Sequence, residues 1–207
     1  TGNVLYDFNN NGCDTADFAN PYTKVNINNG TNSGSSFTNA TGTYTFYTQA
    51  GNFTLTPEME NTNYFNFSPS NAVINFPIAD NSTQTQNFCI TANGVHPDLE
   101  VILTPIGVAR PGFDSEYKII YKNKGNQTQS GTVNLTFDDL RTDFVSATPT
   151  VDTQLVNTLI WNFSNLQPFE TRVINLTLNV NTPLETPAVD NGDLLDFSDT
   201  INESVID

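Results

Sequence analysis

The sequence predicts an all-β chain folded as two tandem antiparallel β-sandwiches, and three observations carry that reading. No long window shows helical periodicity, while short alternating runs bounded by Gly, Asn, Pro or Asp recur from end to end. The residues are 37% hydrophobic and 11% aromatic but only 14% charged, a composition suited to pleated, half-buried surfaces under a neutral polar coat. A length of 207 residues favours two domains of ordinary size over one.

The first half supplies the strand candidates VLYDF, TKVNIN, SFTN, TYTFYT, NFTLTPE, NYFNF, AVINF and QNFCIT. Asn39 to Gly42 place turn-forming residues between two alternating segments, which predicts a hairpin from Thr38 to Thr43. Gly51 and Asn52 turn the chain before Phe53. The segment TANGVHP then breaks the alternation, so the domains are expected at 1–92 and 98–207 with a linker at 93–97. Beyond it come DLEVILTPI, SEYKIIYKNKG, GTVNLTFDD, DFVSATP, TLIWNF, TRVINLTLNV and LLDFSDTI. Seven such runs with turn signals between them are the count and spacing of an immunoglobulin-like sandwich. Alternation in VINLTLNV is strict only from Leu176 onward, which predicts a bulge near Ile174. Trp161, between Leu159, Ile160 and Phe163, reads as a core plug, and the lone His96 as incidental.

Charge narrows the partners. With 22 acidic against 7 basic residues the formal charge is -15, which repels nucleic acid and an anionic membrane surface. No apolar run is long enough to span a bilayer, so direct membrane insertion is not expected. With neither an initiator Met nor a basic-then-apolar leader, the chain reads as a segment or mature form of something longer. Cys13 and Cys89 are even in number and far apart, which predicts a disulfide and an oxidising compartment.

YDFNNNGCDTADF, Tyr6 to Phe18, concentrates oxygen-bearing side chains around a glycine. Counting Asp7 as first, Asn9 is third, Asn11 fifth, Gly12 sixth and Cys13 seventh, the alternate-oxygen spacing with which a loop wraps Ca²⁺, the seventh position giving its carbonyl. The twelfth position holds Phe18 where a bidentate acid is expected, with Asp14 and Asp17 nearby, so the loop is a variant and not an EF-hand. Strand candidates flank it, so no helix pair opens on binding. The alternative is an Asx-rich turn without metal. The expected metal set is Asp7, Asn9, Asn11, Cys13, Asp14 and Asp17, in a structural role.

Those residues, with KVNI and TGTYTFYTQAGNFTLTP, resemble the B-type repeat modules of bacterial surface adhesins, over about the first 90 residues. That resemblance implies a small sandwich whose calcium loop stiffens the module. DLEVILTPIGVARPGFDSEYKIIYKNKGNQTQSGTVNLTFDD, LIWNFSNLQPFETRVINLTLNVNTP and ETPAVDNGDLLDFSDTI are similar to the immunoglobulin-like conserved-repeat domains of large secreted Bacteroidota proteins. The family implies export by type IX secretion to the cell surface, adhesion and, in some members, gliding motility. DTA and DTI resemble the O-glycosylation signal of such proteins, at Thr15 and Thr200. Modules like the first sometimes carry a Lys-to-Asn isopeptide bond, for which Lys24, Glu58 and Asn87 are the conceivable residues.

Two acidic groups, Asp138, Asp139 and Asp143, then Asp190, Asp193, Asp196 and Asp199, lack the alternate spacing of a cation cage and read as solvated faces. No nucleophile elbow, zinc motif, phosphate loop or general-base histidine is present. The expected function is a non-enzymatic structural or adhesive segment of a long extracellular surface protein. Its expected partners are neighbouring repeat domains of the same chain and, at the surface, a glycan or other cell-surface ligand. One rival is a carbohydrate-binding module with Tyr22, Tyr47, Tyr64 and Phe65 as an aromatic platform. Another is a filament subunit in which the strand around Leu194 to Ile201 completes a neighbour's sheet.

Overall fold

In the computed structural model, which describes residues 1–204, the secondary structure is entirely β. None of the described residues forms a helix long and apolar enough to cross a membrane. The chain divides into two compact units, Thr1–His96 and Pro97–Asp207.

Unit 1 contains β1 (Gly2–Tyr6), β2 (Phe18–Ala19), β3 (Lys24–Asn28), β4 (Ser33–Phe37), β5 (Thr43–Tyr44), β6 (Gly51–Glu58), β7 (Phe65–Ser68), β8 (Ala72–Phe76) and β9 (Phe88–Ala92). One sheet has the order β2-β1-β9-β7, with β5 against the start of β1; the other is β4-β3-β6-β8. Alternation places Val4, Tyr6, Phe88 and Ile90 in the core from the first sheet and Val25 and Leu55 from the second. All pairings are antiparallel except β1 with β9, which run parallel in the register Val4↔Phe88, Leu5↔Cys89 and Tyr6↔Ile90. A parallel pair needs a long crossover, and here nearly the whole unit serves as one.

The Thr38–Thr43 turn forms: Gly42 N donates to Asn39 O and Asn39 Oδ1 accepts from the amides of Thr41 and Thr43. The strand expected over TYTFYT is paired only at Thr43–Tyr44, and Thr45–Gln49 runs on outside any sheet. Alternation can specify an extended conformation, but not whether a partner lies beside it.

Unit 2 contains β10 (Leu99–Pro105), β11 (Asp114–Asn123), β12 (Gln129–Phe137), β13 (Thr142–Thr148), β14 (Thr153–Leu155), β15 (Thr158–Leu166), β16 (Thr171–Val180) and β17 (Phe197–Glu203). Two four-stranded antiparallel sheets, β10-β11-β16-β13 and β14-β15-β12-β17, enclose a core that includes Ile119, Leu135, Leu159, Trp161, Ile174 and Leu178. Trp161 is buried, and its Nε1 donates to Pro149 O at 3.1 Å, which satisfies the one polar atom it takes into the core. The bulge expected near Ile174 is absent there, since Ile174 pairs regularly with Ile119. The register shift lies on the neighbouring strand instead, between Phe144 and Ser146 of β13, so β16 stays straight and its edge partner takes up the mismatch. Leu99 of β10 pairs with Asn123, and Glu203 of β17 with Gly131. The unit's first strand therefore begins, and its last one ends, at the pole where β11 turns into β12.

At that pole Arg172 clasps the β15–β16 turn. Its Nε donates to Glu170 Oε1 at 2.7 Å and its other nitrogens to the carbonyls of Ser164 and Asn165, while Glu170 Oε2 accepts from Gln167 N. Burial pushes the Glu170 carboxyl up, but the Arg172 hydrogen bond, the Gln167 amide and the guanidinium charge together hold it below the ordinary glutamate value. A lowered acid stabilises the fold above the ordinary range and loses that contribution as pH falls through the folded value. Both groups are about one-third exposed, so solvent screening keeps the contribution near 1 kcal/mol. E170Q accordingly lowers the stability of unit 2 by about 1 kcal/mol at neutral pH, and the gap to the parent closes as the pH falls below the ordinary glutamate range. Urea denaturation across pH measures both effects.

Candidate functional site

The loop after β1 is organised by Asx turns. Asp7 is buried, and its two carboxylate oxygens accept from Asn11 N at 3.1 Å and Gly12 N at 2.8 Å. Asn9 Oδ1 also accepts from Asn11 N. Asn10 and Gly12 take positive φ, 58° and 97°, which Asn and Gly tolerate best. A second small knot follows: Asp14 N donates to Asp17 Oδ2 and Ala16 N to Asp14 Oδ1. Asp17 Oδ1 is buried without a hydrogen-bond partner. Asp7, Asp14 and Asp17 therefore belong to two clusters, and no three acidic, His or Cys side chains gather as a metal-holding group among the described residues. The donors remaining for a cation are hard oxygens: Asp7, the Asn9 and Asn11 amides, the Cys13 carbonyl and the orphaned Asp17 Oδ1. Were a cation held here, these hard oxygens would be donors of the kind Ca²⁺ takes, and the Cys13 sulfur is committed elsewhere.

It is bonded to Cys89, with Cα atoms 5.6 Å apart and a sequence separation of 76. Cys89 lies in β9, so the bridge ties the loop after β1 to the strand parallel to β1. The contact between these two terminal strands also extends beyond their assigned ends. Thr1 N donates to Gln84 O at 3.1 Å, Gln86 N donates to Thr1 O, and Asp7 N donates to Ile90 O, each in the parallel pattern. Tyr44 packs at the start of this pair and donates its hydroxyl to Gln86 O at 2.6 Å, burial pushing the phenol up to about 12. Gly2 is required there: a Cβ would stand 1.6 Å from Gln86 O. Sequence reasoning missed Gly2, Tyr44 and Gln86; a glycine just ahead of the first strand candidate was the available signal for a close backbone approach.

The other candidate residues scatter. Lys24 pairs with Glu58 at 2.9 Å on an exposed face, while Asn87 Oδ1 accepts from Asn3 N, so the notional crosslink residues have separate partners. Of the four platform aromatics, Phe65 is buried and Tyr64 stacks on His96 at 4.5 Å. His96 is thus a packing residue and not incidental. Tyr22 and Tyr47 are exposed. Thr15 and Thr200 are both exposed, Thr200 Oγ1 lying 3.4 Å from Asn134 Nδ2.

No protein-family model matches the chain, and no curated protein matches it. Among solved structures it is similar to a variant of BcpA, the major pilin subunit of Bacillus cereus, at a TM-score of 0.32 and 8% identity, covering 98% of this chain and 68% of that one. It is also similar to the full-length major pilin SpaD from Corynebacterium diphtheriae, at 0.33 and 8%, covering 98% and 62% respectively. Scores this low assign this chain no role.

Proposed function

We propose that this chain is a non-enzymatic structural segment of a long extracellular bacterial surface protein, of the adhesin type its sequence resembles, in which unit 1 is the part built to resist tension. The observation that supports it is the parallel β1–β9 pair. Because the strands are parallel and hydrogen-bonded, β1 starts at one end of unit 1 and β9 finishes at the other. Pulling on Thr1 and His96 slides the two strands along each other, so the ladder bonds are loaded together rather than in sequence. The disulfide backs this clamp covalently and fits an oxidising, extracellular setting. Neighbouring domains of the same chain are the partners that transmit the load. Single-molecule stretching with handles at Thr1 and His96 tests the reading: the expected result is a high-force rupture, and yielding at the force typical of peeled strands would reject it.

Calcium belongs to the same proposal. An ion held by Asp7, Asn9, Asn11 and the Cys13 carbonyl, with Asp14 and Asp17 beside it, stiffens the link between β1 and β9 at the point where the disulfide enters. Free calcium at a hundred times its dissociation constant stabilises unit 1 by about 2.7 kcal/mol, and a chelator reverses the gain. Melting curves that superimpose with and without chelator would remove the ion from the account.

A further inference from the structure

A cleft of 310 Å³ in unit 1 is lined by two segments that belong to no sheet, Thr45–Gln49 and Ile78–Gln84, the second bent with Asn81 at φ 61°, and by Thr1. The backbone of Phe46, Tyr47, Thr48 and Gln49 makes no hydrogen bond among the described residues. A further void of 30 Å³ shares Phe46 and Phe76 with the cleft and is also lined by half-buried Ile27, Phe53 and Ile74 and by buried Leu55. Unpaired amides beside uncovered apolar surface are what a sheet presents where a strand is missing.

Thr1 shows how the missing row runs. Its N and O bond Gln84 O and Gln86 N as a continuation of the parallel β1–β9 ladder, while Gly2 and Asn3 pair antiparallel with Tyr44 and Thr43. Continued backwards in the antiparallel register, β1 runs beside Phe46–Gln49; on its other side the parallel register holds only as far as Thr83, because Ser82 N donates to Asp80 Oδ1 and Asn81 takes φ 61°. Neighbouring strands lie about 4.8 Å apart, and the four residues Phe46–Gln49 offer a wall about 13 Å long. Gly2, Val4 and Tyr6 face the core, so by alternation the residue joined to Thr1 faces it too, beside Phe46.

We propose that this cleft seats one further β-strand, the polypeptide joined to the Thr1 nitrogen and running in line with β1, with apolar residues at alternate positions over Phe46 and Phe76. Covalent attachment supplies the strand at high effective concentration. A sugar is the rival occupant, because Tyr47 is 98% exposed at the rim near Asp80 and Asn81. The strand is favoured because free main-chain groups line the Phe46–Gln49 wall, and main-chain pairing is how an extended peptide is recognised. The inference deepens the tension-bearing reading, since the added strand lengthens the β1–β9 clamp, but its own test does not depend on force.

The test places Val-Thr-Val-Thr-Val ahead of Thr1, with Val-Pro-Val-Pro-Val as a control that keeps the apolar residues and removes amides. Hydrogen exchange of the Phe46–Gln49 amides is expected to slow at least tenfold with the first and not the second. Equal exchange in the parent and both extended proteins would overturn the proposal, as would equal protection by the proline control. Protection by millimolar free acetyl-Val-Thr-Val-Thr-Val-amide as strong as by the tethered strand would also overturn it, giving the site to a strand from another molecule. Cellohexaose perturbing Tyr47 in a protein whose extension stays unprotected would give it to sugars. Protection without a rise in unfolding force keeps the strand and rejects the load-bearing reading.

Discussion

Replacing both bridge cysteines, Cys13→Ser with Cys89→Ser, lowers the stability of unit 1 by about 4 kcal/mol and multiplies its extension under tension. The first effect follows from loop closure: a bridge between residues 76 apart removes that much conformational freedom from the unfolded chain in the entropic account. The second follows from connectivity. With the bridge intact, force travels from Thr1 to Cys13, across the sulfurs, and from Cys89 to His96, leaving roughly twenty residues to extend by about 3.5 Å each. Without it the whole unit unravels, and the gain in length rises to about 300 Å. Denaturant melting of the oxidised and double-serine proteins measures the first, and the contour-length step in a stretching trace the second. Unit 2, which contains no cysteine, is the internal control. A step of the same length in both proteins would show that the bridge does not carry the load.

Gly2→Ala is the other large effect. The new methyl would meet Gln86 O at 1.6 Å and Tyr44 Oη at 2.9 Å, and the first is backbone that cannot rotate away. Either β1 moves off β9 or Gln86 is displaced, and both outcomes break the hydrogen bonds that join Thr1 to Gln84 and Gln86 and Tyr44 to Gln86. Loss of two or three hydrogen bonds, one from a buried phenol, costs about 3 kcal/mol. Denaturation should show unit 1 weakened by that amount while unit 2 is unchanged. Tyr44→Phe, which removes one bond and no backbone contact, should cost about 1 kcal/mol, so a ratio near unity between the two variants would contradict the close approach as the cause.

What the sequence made legible is local chemistry. Alternation located the strands from β1 to β17 that carry core residues, because a period of two is imposed by the strand itself. The Asn39 turn and the Asp7 loop were readable because Asx side chains bond backbone amides within a few residues. The disulfide was readable because only two cysteines exist. The parallel alignment of β1 with β9 was not, since it depends on how the whole of unit 1 returns on itself; nor was the unpaired state of Thr45–Gln49, whose alternation is as regular as that of a paired strand. Tyr64 and His96 illustrate the same limit: nothing in either residue's neighbours announces that the two rings stack, 32 positions apart in numbering.

On the load-bearing reading, unit 2 would answer a pull differently from unit 1. The first strand of unit 2 begins and its last strand ends at one pole, and each is an edge strand bonded to a single partner, β10 to β11 and β17 to β12. A pull on that pole opens the ladders like two zips, one rung after another, at forces well below those that shear a parallel pair. On the load-bearing reading such a sandwich serves as a pendant and not a cable, its opposite pole, with Val108, Leu140, Val156 and Leu184 exposed, lying away from both strand ends.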